Sequence, residues 1–185
     1  MSEIIKTDAV VLSKLNYGDT SSIVSLYTET DGKISAIVKG GRSPKSKIGK
    51  IIDPINHLQV IIYKKNTRDV QILTDANLVA HFLNIKEDLD ATKYGFAIIE
   101  LVKNLTAEHE VNEKLFKGLI KILSLINDKK ENPAFLFGRF LLFFLSELGY
   151  EISIDKCSLC GNNLKAKENI GFDFNSGLIC SDCFE

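Results

Sequence analysis

Residues 22–38 read SIVSLYTETDGKISAIV, two runs of β-forming residues joined by Asp31-Gly32. Glycine adopts positive φ without strain, so Asp-Gly between two such runs is a strong hairpin signal. Three further runs of the same kind cover residues 10–14, 58–63 and 69–73. Gly18-Asp19 marks another turn, and Pro44 and Pro54 bracket an irregular stretch. Five short strands with tight turns predict a small closed barrel over residues 1–75.

The apolar period becomes helical after residue 76. Asn84 has Glu87 three residues on, a capping-box spacing that predicts a helix start. Asn112 can cap a second helix, and Asn132-Pro133 opens a third that Gly149 ends. The second helix has an apolar stripe of Leu115, Leu119, Ile122, Leu123 and Ile126. We therefore predict an α+β chain, with the barrel over residues 1–75 and a helical domain over residues 76–185.

The third predicted helix, Phe135–Leu148, is apolar almost all round. A helix of this kind is buried, or it offers one face to a partner. Arg139 is the exception within it. A buried guanidinium needs a carboxylate, so Arg139 either pairs internally or meets an acidic segment from outside.

All four cysteines lie near the end of the sequence, as Cys157 and Cys160, then Cys180 and Cys183. Two Cys-x-x-Cys pairs at this spacing predict one tetrahedral Zn²⁺ with four thiolate ligands. Four thiolates leave no open position for water, so the zinc is expected to be structural. Gly161 suits the turn after the first pair, whereas Phe184 follows the second pair directly.

Two disulfides are the alternative to zinc. Residues 1–6 (MSEIIK) are not a secretory signal, so a reducing compartment is expected. We expect a cytoplasmic protein with no membrane partner, because the closest candidate span, Phe135–Leu148, is too short to cross a bilayer and contains Arg139 and Glu147.

Charge is unevenly distributed, although the net charge is only −1. Residues 1–75 contain eleven Lys and Arg against eight Asp and Glu. Within residues 33–50 there are six cations and no acid: Lys33, Lys39, Arg42, Lys45, Lys47 and Lys50. Like charges at this density repel one another, so a counter-anion is expected nearby.

Nucleic acid is one such anion. Small five-stranded barrels bind single strands, with lysines at phosphates and aromatic side chains under bases. Tyr17, Tyr27 and Tyr63 are candidate stacking residues, although strand tyrosines more often pack half-buried. A basic loop that is merely solvated explains the composition equally well, and both interpretations are open at this point.

Four segments, taken in order, resemble the RecO family of bacterial recombination mediators. They are residues 7–12 (TDAVVL) with 17–19 (YGD), 39–46 (KGGRSPKS), 101–106 (LVKNLT) and 148–150 (LGY), the last just before the cysteine pairs. The resemblance covers essentially the whole chain. Family members continue with helical sequence beyond the second cysteine pair, whereas this sequence ends at Glu185.

The resemblance implies an N-terminal OB-fold, a helical domain and a zinc-binding element. It also implies binding of single- and double-stranded DNA, annealing of complementary strands, and work with RecR and the single-strand-binding protein to load recombinase. No catalytic residue is implied. Lys39, Arg42 and Lys45 lie in the matching loop and become candidate DNA contacts, and Lys47 and Lys50 are added on charge alone.

For Arg139 the resemblance suggests an acidic partner, the tail of the single-strand-binding protein, which ends in an apolar residue.

Two other function classes remain: an RNA-binding OB protein with a zinc element, and an interaction module that binds only protein. An enzyme is the poorest interpretation, because the sequence has no Gly-rich phosphate loop, nucleophile motif or open metal site.

Overall fold

The computed structural model describes residues 2–150, 154–164 and 169–184. Five strands form a closed barrel in the order β1-β2-β3-β5-β4. Their bounds are β1 Ser2–Tyr17, β2 Ser21–Thr28, β3 Gly32–Val38, β4 His57–Lys65 and β5 Val70–Ala80. β3 pairs with β5 in parallel, while the other neighbours are antiparallel. The predicted barrel is thereby confirmed, and its last strand continues past residue 75 to Ala80.

Every second residue along these strands is apolar and points into the barrel, and together these side chains fill its interior. Val24 and Leu26 on β2 face Ile34 and Ala36 on β3, and all four are fully buried. The hairpin between these strands turns at Gly32, whose φ is +65°. Only glycine adopts that angle readily, so the sequence signal and the observed turn have the same physical cause.

Among the residues that the structure describes, four α-helices follow the barrel: α1 Leu83–Glu87, α2 Leu89–Leu105, α3 Glu113–Asn127 and α4 Pro133–Glu147. The predicted cap at Asn84 is wrong, because Asn84 lies inside the short α1. The long helix α2 is capped by Asp88, whose side chain accepts a hydrogen bond from the Ala91 N–H at 2.8 Å. Asp88 has extended backbone, which separates α1 from α2.

The other two helix starts are confirmed. The Asn112 side chain accepts from the Leu115 N–H at 2.8 Å, and that of Asn132 accepts from the Ala134 N–H at 2.8 Å. The predicted stripe of α3 is buried throughout. In α4 one face is buried, with Leu136, Phe140 and Phe144, whereas Phe135 is 61% exposed, so of the two alternatives the helix is the one that leaves an apolar face open.

Two compact units divide the chain, residues 1–144 and residues 145–185. The second unit contains a small hairpin, β6 Gly171–Asp173 and β7 Gly177–Ile179. Asp173 Oδ2 accepts hydrogen bonds from the backbone N–H groups of Asn175 and Ser176, which fixes the turn. Just after β7, a single 3₁₀ turn spans Ser181–Cys183.

Candidate nucleic-acid interface and cysteine cluster

The connection from β3 to β4 carries the five predicted DNA contacts. Lys39, Arg42, Lys45, Lys47 and Lys50 are all exposed. Within the described part of the chain, no carboxylate forms an ion pair with any of them. Residues 39–50 are called the basic loop below. Its cations are therefore available to an external anion.

Several contacts fix the backbone of the basic loop. The Arg42 N–H donates to the Thr20 carbonyl at 2.8 Å, and its guanidinium donates to the Gly18 carbonyl at 3.0 Å. Lys14 Nζ donates to the Gly49 carbonyl at 3.0 Å. At Gly49 a Cβ would lie 1.7 Å from the carbonyl oxygen of Gly41, so the loop folds back on itself at backbone contact. The cations thus project from a folded segment.

Lys33, the first cation of the run, is not part of this surface. Its side chain is only 11% exposed, and Nζ donates to the carbonyls of Lys103 and Thr106. The end of α2 therefore covers Lys33, which the charge count alone does not show. The basic surface begins at Lys39.

The three candidate stacking tyrosines differ in exposure. Tyr27 is buried, with its ring centroid 6.4 Å from that of Phe116. Tyr63 is half-buried on β4. Tyr17, at the end of β1, is 55% exposed. Of the three, Tyr17 is therefore the one with a ring open to solvent.

The four cysteines form one cluster. Their sulfur atoms all lie within 4.8 Å of one another, and the Sγ atoms of Cys160 and Cys180 are 3.7 Å apart. None of the four is in a disulfide, so that alternative is not observed. Tetrahedral thiolates at a Zn–S distance of about 2.3 Å would be about 3.8 Å apart, so the cluster has the size of a metal site.

Backbone turns build this cluster. Gly161 has φ of +74°, and its N–H donates to the Cys157 carbonyl at 2.9 Å. The Cys183 N–H donates to the Cys180 carbonyl at 3.1 Å. Ile179 and Leu164 pack beside the sulfurs. Each Cys-x-x-Cys pair is thus turned by its own backbone to aim both sulfurs at one point.

The sulfurs are electrostatically unequal. Hydrogen bonds from the backbone of Cys160 and Cys180 lower the pKa of Cys157 to about 6. Hydrogen bonds with the thiols of Cys160 and Cys180 raise the pKa of Cys183 to about 12. Four sulfurs this close cannot all be thiolates unless a cation offsets their repulsion, which fits a metal-binding donor set.

Arg139 borders a cleft of about 240 Å³ between α3 and α4. Its guanidinium is half-exposed, 3.3 Å from a Glu131 carboxylate oxygen. Of the two alternatives for Arg139, the internal pair is therefore present, although Arg139 is not buried, and the partner contact stays a prediction. Lys121, which was not predicted, lies on the other side of the cleft, and the floor is apolar: Ile122, Leu125, Phe140 and Phe143.

Two family models match this chain. Recombination protein O N terminal matches residues 1–82, and Recombination protein O C terminal matches residues 86–185. The chain belongs to the recombination protein O family. The N-terminal match covers the barrel and the basic loop, and the C-terminal match covers helices α2 to α4 and the cysteine cluster. The predicted family is confirmed.

Curated relatives carry the name DNA repair protein RecO. The protein of Chlorobium limicola is 38% identical over 88% of this chain and 62% of its own length. That of Chloroherpeton thalassium is 35% identical over 89% of this chain and 63% of its own length. That of Chlorobium phaeobacteroides is 34% identical over 95% of this chain and 70% of its own length. The chain thus spans less than two thirds of the first two of these relatives.

Neither the family descriptions nor the relatives' names mention a catalytic activity. Among the described residues, no helix combines the length and hydrophobicity that a membrane span requires.

One further basic residue near the basic loop, Arg68, was not predicted from the sequence. It lies in the β4–β5 loop and lines the same cleft as Lys39 at the end of β3. The parallel β3–β5 pairing, with Ser35 opposite Val70, places Arg68 beside the start of β3 and Lys39 just past its end, so the two cations border opposite ends of this cleft. Parallel pairing of strands distant in the sequence has no local signal, so Arg68 could not be assigned to the basic surface beforehand.

Proposed function

We propose that this chain is a non-enzymatic mediator of DNA repair and recombination. It binds single- and double-stranded DNA, anneals complementary strands and helps to load recombinase on coated single strands. The observation that carries the proposal is the basic loop: five exposed cations without carboxylate partners among the described residues, projecting from a closed barrel in a chain of this family.

Annealing requires no bond chemistry. Two polyanions must approach each other while their bases stay free to pair, so their mutual repulsion has to be screened. Lysine and arginine do this by displacing the counterions condensed on each strand. Because the basic loop is fixed to the barrel at Arg42 and Lys14, it can offer its charges to phosphates without a large ordering cost.

The metal of the cysteine cluster is proposed to be one structural Zn²⁺, bound by Cys157, Cys160, Cys180 and Cys183. The sulfur spacing and the soft donor set support zinc. With four thiolates the coordination shell is complete, so the metal would stabilise residues 145–185 and take no part in catalysis.

RecR and the single-strand-binding protein are the proposed protein partners. The α3–α4 cleft is the proposed contact for the acidic tail of the latter: Arg139 and Lys121 would meet carboxylates, and the apolar floor would take the terminal side chain. The Arg139–Glu131 pair is half-exposed, so exchanging Glu131 for another carboxylate would cost little.

The deciding experiment is annealing of two complementary single strands coated with the cognate single-strand-binding protein, over a series of salt concentrations. Acceleration that falls with salt supports the mediator. If the protein binds bare DNA but does not accelerate annealing of the coated strands, only the proposed action with the single-strand-binding protein is contradicted. Preference for RNA over DNA of equal sequence favours an RNA-binding protein, and no salt-dependent nucleic-acid binding at all favours a protein-only module.

A further inference from the structure

An apolar row crosses the outer face of the barrel. Ile23 on β2 pairs with Ile37 on β3, and Ile37 pairs with Ile72 on β5. All three are half-buried, while the residues that follow them, Val24, Val38 and Leu73, fill the barrel interior. Barrel strands that face water on one side ordinarily alternate apolar and polar residues. Three isoleucines in register on the outside therefore require a reason.

These isoleucines form the floor of an open cleft of about 390 Å³. Tyr17 and Val70 complete its apolar part, and both are exposed. Lys39 and Arg68 lie at the same cleft. In the described part of the chain neither cation pairs with a carboxylate, so the cleft combines an apolar floor and an open tyrosine with two available positive charges.

This combination matches one unpaired nucleotide better than a duplex. A base has a flat apolar face that stacks on aromatic rings, and its flanking phosphates are anions. In a duplex both faces of each base are already stacked, so a protein meets phosphates, sugars and base edges but no open base face. Lys39 belongs to the basic loop as well, so a strand bound along that loop would continue directly into the cleft.

We propose that the cleft at Tyr17 is a base-stacking subsite that selects single strands. A base would lie on Tyr17 and the isoleucine row, with its neighbouring phosphates at Lys39 and Arg68. The proposal rests on the proposed DNA binding and adds what the basic loop alone lacks: the loop contacts phosphates, which single strands and duplexes share, whereas the cleft contacts bases.

The test compares Tyr17→Ala with Tyr17→Phe, using a labelled oligothymidylate and a blunt duplex as probes in anisotropy titrations. Loss of one stacked base is expected to weaken single-strand binding roughly 5- to 150-fold. Phe keeps the ring and should retain the affinity. Duplex affinity should change less than about twofold for either variant, and the salt dependence should keep its slope, since no charge is removed.

A spectroscopic measurement reports stacking independently of affinity. The sequence contains no tryptophan. Tyr17→Trp therefore places a single indole in the cleft, whose emission should be quenched by the oligothymidylate and much less by the duplex. Phe135→Trp, at a residue 61% exposed on α4 and outside the cleft lining, is the control and should respond to neither probe.

The outcomes separate this proposal from the one on which it rests. If Tyr17→Ala leaves single-strand affinity unchanged, or weakens both probes equally, the stacking subsite is overturned while DNA binding stands. The subsite is also overturned if the oligothymidylate does not quench the indole of the Tyr17→Trp variant. Quenching by a peptide instead would then identify the cleft as a protein-docking face. If the unaltered protein binds neither probe, both proposals fail.

Discussion

Lys33 Nζ donates a hydrogen bond to the carbonyl oxygen of Thr106 at 2.6 Å, which joins strand β3 to the end of helix α2. The same ammonium donates to the Lys103 carbonyl at 2.8 Å. Both carbonyls belong to the last turn of α2 or follow it directly, where the helix leaves acceptors unpaired and its dipole favours a cation. A barrel lysine thus caps a helix that is distant in the sequence.

Replacing Lys33 by Met should destabilise the fold. Met has a similar length but cannot donate, so two largely buried carbonyls lose their partner. Hydrogen bonds to charged groups contribute about 1.5–3 kcal/mol, and we expect a loss in that range from urea unfolding. Lys114→Met, at an exposed lysine of α3, is the control and should stay within about 0.5 kcal/mol. Equal losses in both variants would contradict the cap.

Gly32→Ala should cost more than Gly18→Ala, although both glycines have positive φ. A Cβ on Gly32 would lie 2.2 Å from the Glu110 carbonyl oxygen, whereas a Cβ on Gly18 meets nothing within 4 Å. Gly18→Ala should lose about 1–2 kcal/mol from its backbone angle alone. Gly32→Ala must also displace backbone, so a loss above about 3 kcal/mol is expected. Similar unfolding midpoints for the two variants would disprove the close approach.

The salt dependence of DNA binding should report the basic loop. If about five phosphates are neutralised, log K falls with log salt at a slope of about −3.5 on single strands. Lys45→Gln with Lys47→Gln should reduce that slope by roughly one to two units. Lys114→Gln with Lys117→Gln removes the same charge from exposed positions on α3 and should leave the slope unchanged. An unaltered slope in the Lys45 and Lys47 variant would remove both from the interface.

Arg139 and Lys121 should determine binding of an acidic peptide with an apolar C-terminal residue. Arg139→Glu would reverse the charge at the cleft and is expected to weaken binding at least tenfold, because like charges would then face each other. Lys117→Glu, on α3 but outside the cleft lining, is the matched control. A peptide that still binds Arg139→Glu with unchanged affinity would exclude this cleft as its site.

Local sequence signals predicted the strands, the Asp31-Gly32 turn and two of the three helix starts, because each depends on a few neighbouring residues. They failed at Asn84, where the actual cap is Asp88 four residues later. Both residues are good caps, and the choice depends on contacts from outside: the Asn84 side chain donates to the carbonyl of Asn127 at the end of α3. No local pattern contains that contact.

Prediction of the basic surface had a similar limit. A count of charges includes Lys33, which the end of α2 covers, and omits Arg68, which lines the same cleft as Lys39 because β5 pairs with β3. The cysteine spacing was more informative, because two short turns of fixed geometry decide where all four sulfurs lie. Charge density indicates an interface, but its members are decided by strand pairing.

Removing the metal should loosen residues 145–185 and spare the barrel. Four thiolates predict one zinc per chain, and chelation should expose the cysteine segments because two of the ligands, Cys157 and Cys180, are themselves core residues beside Ile179. Hydrogen exchange read by mass spectrometry should show faster exchange in peptides from residues 154–184, with unchanged protection in β1–β5. Cys160→Ser should reproduce this effect without a chelator, whereas Ser181→Ala, between two ligands, should keep the metal. Purified protein that contains no metal and shows full protection of the cysteine segments would overturn the structural role of zinc.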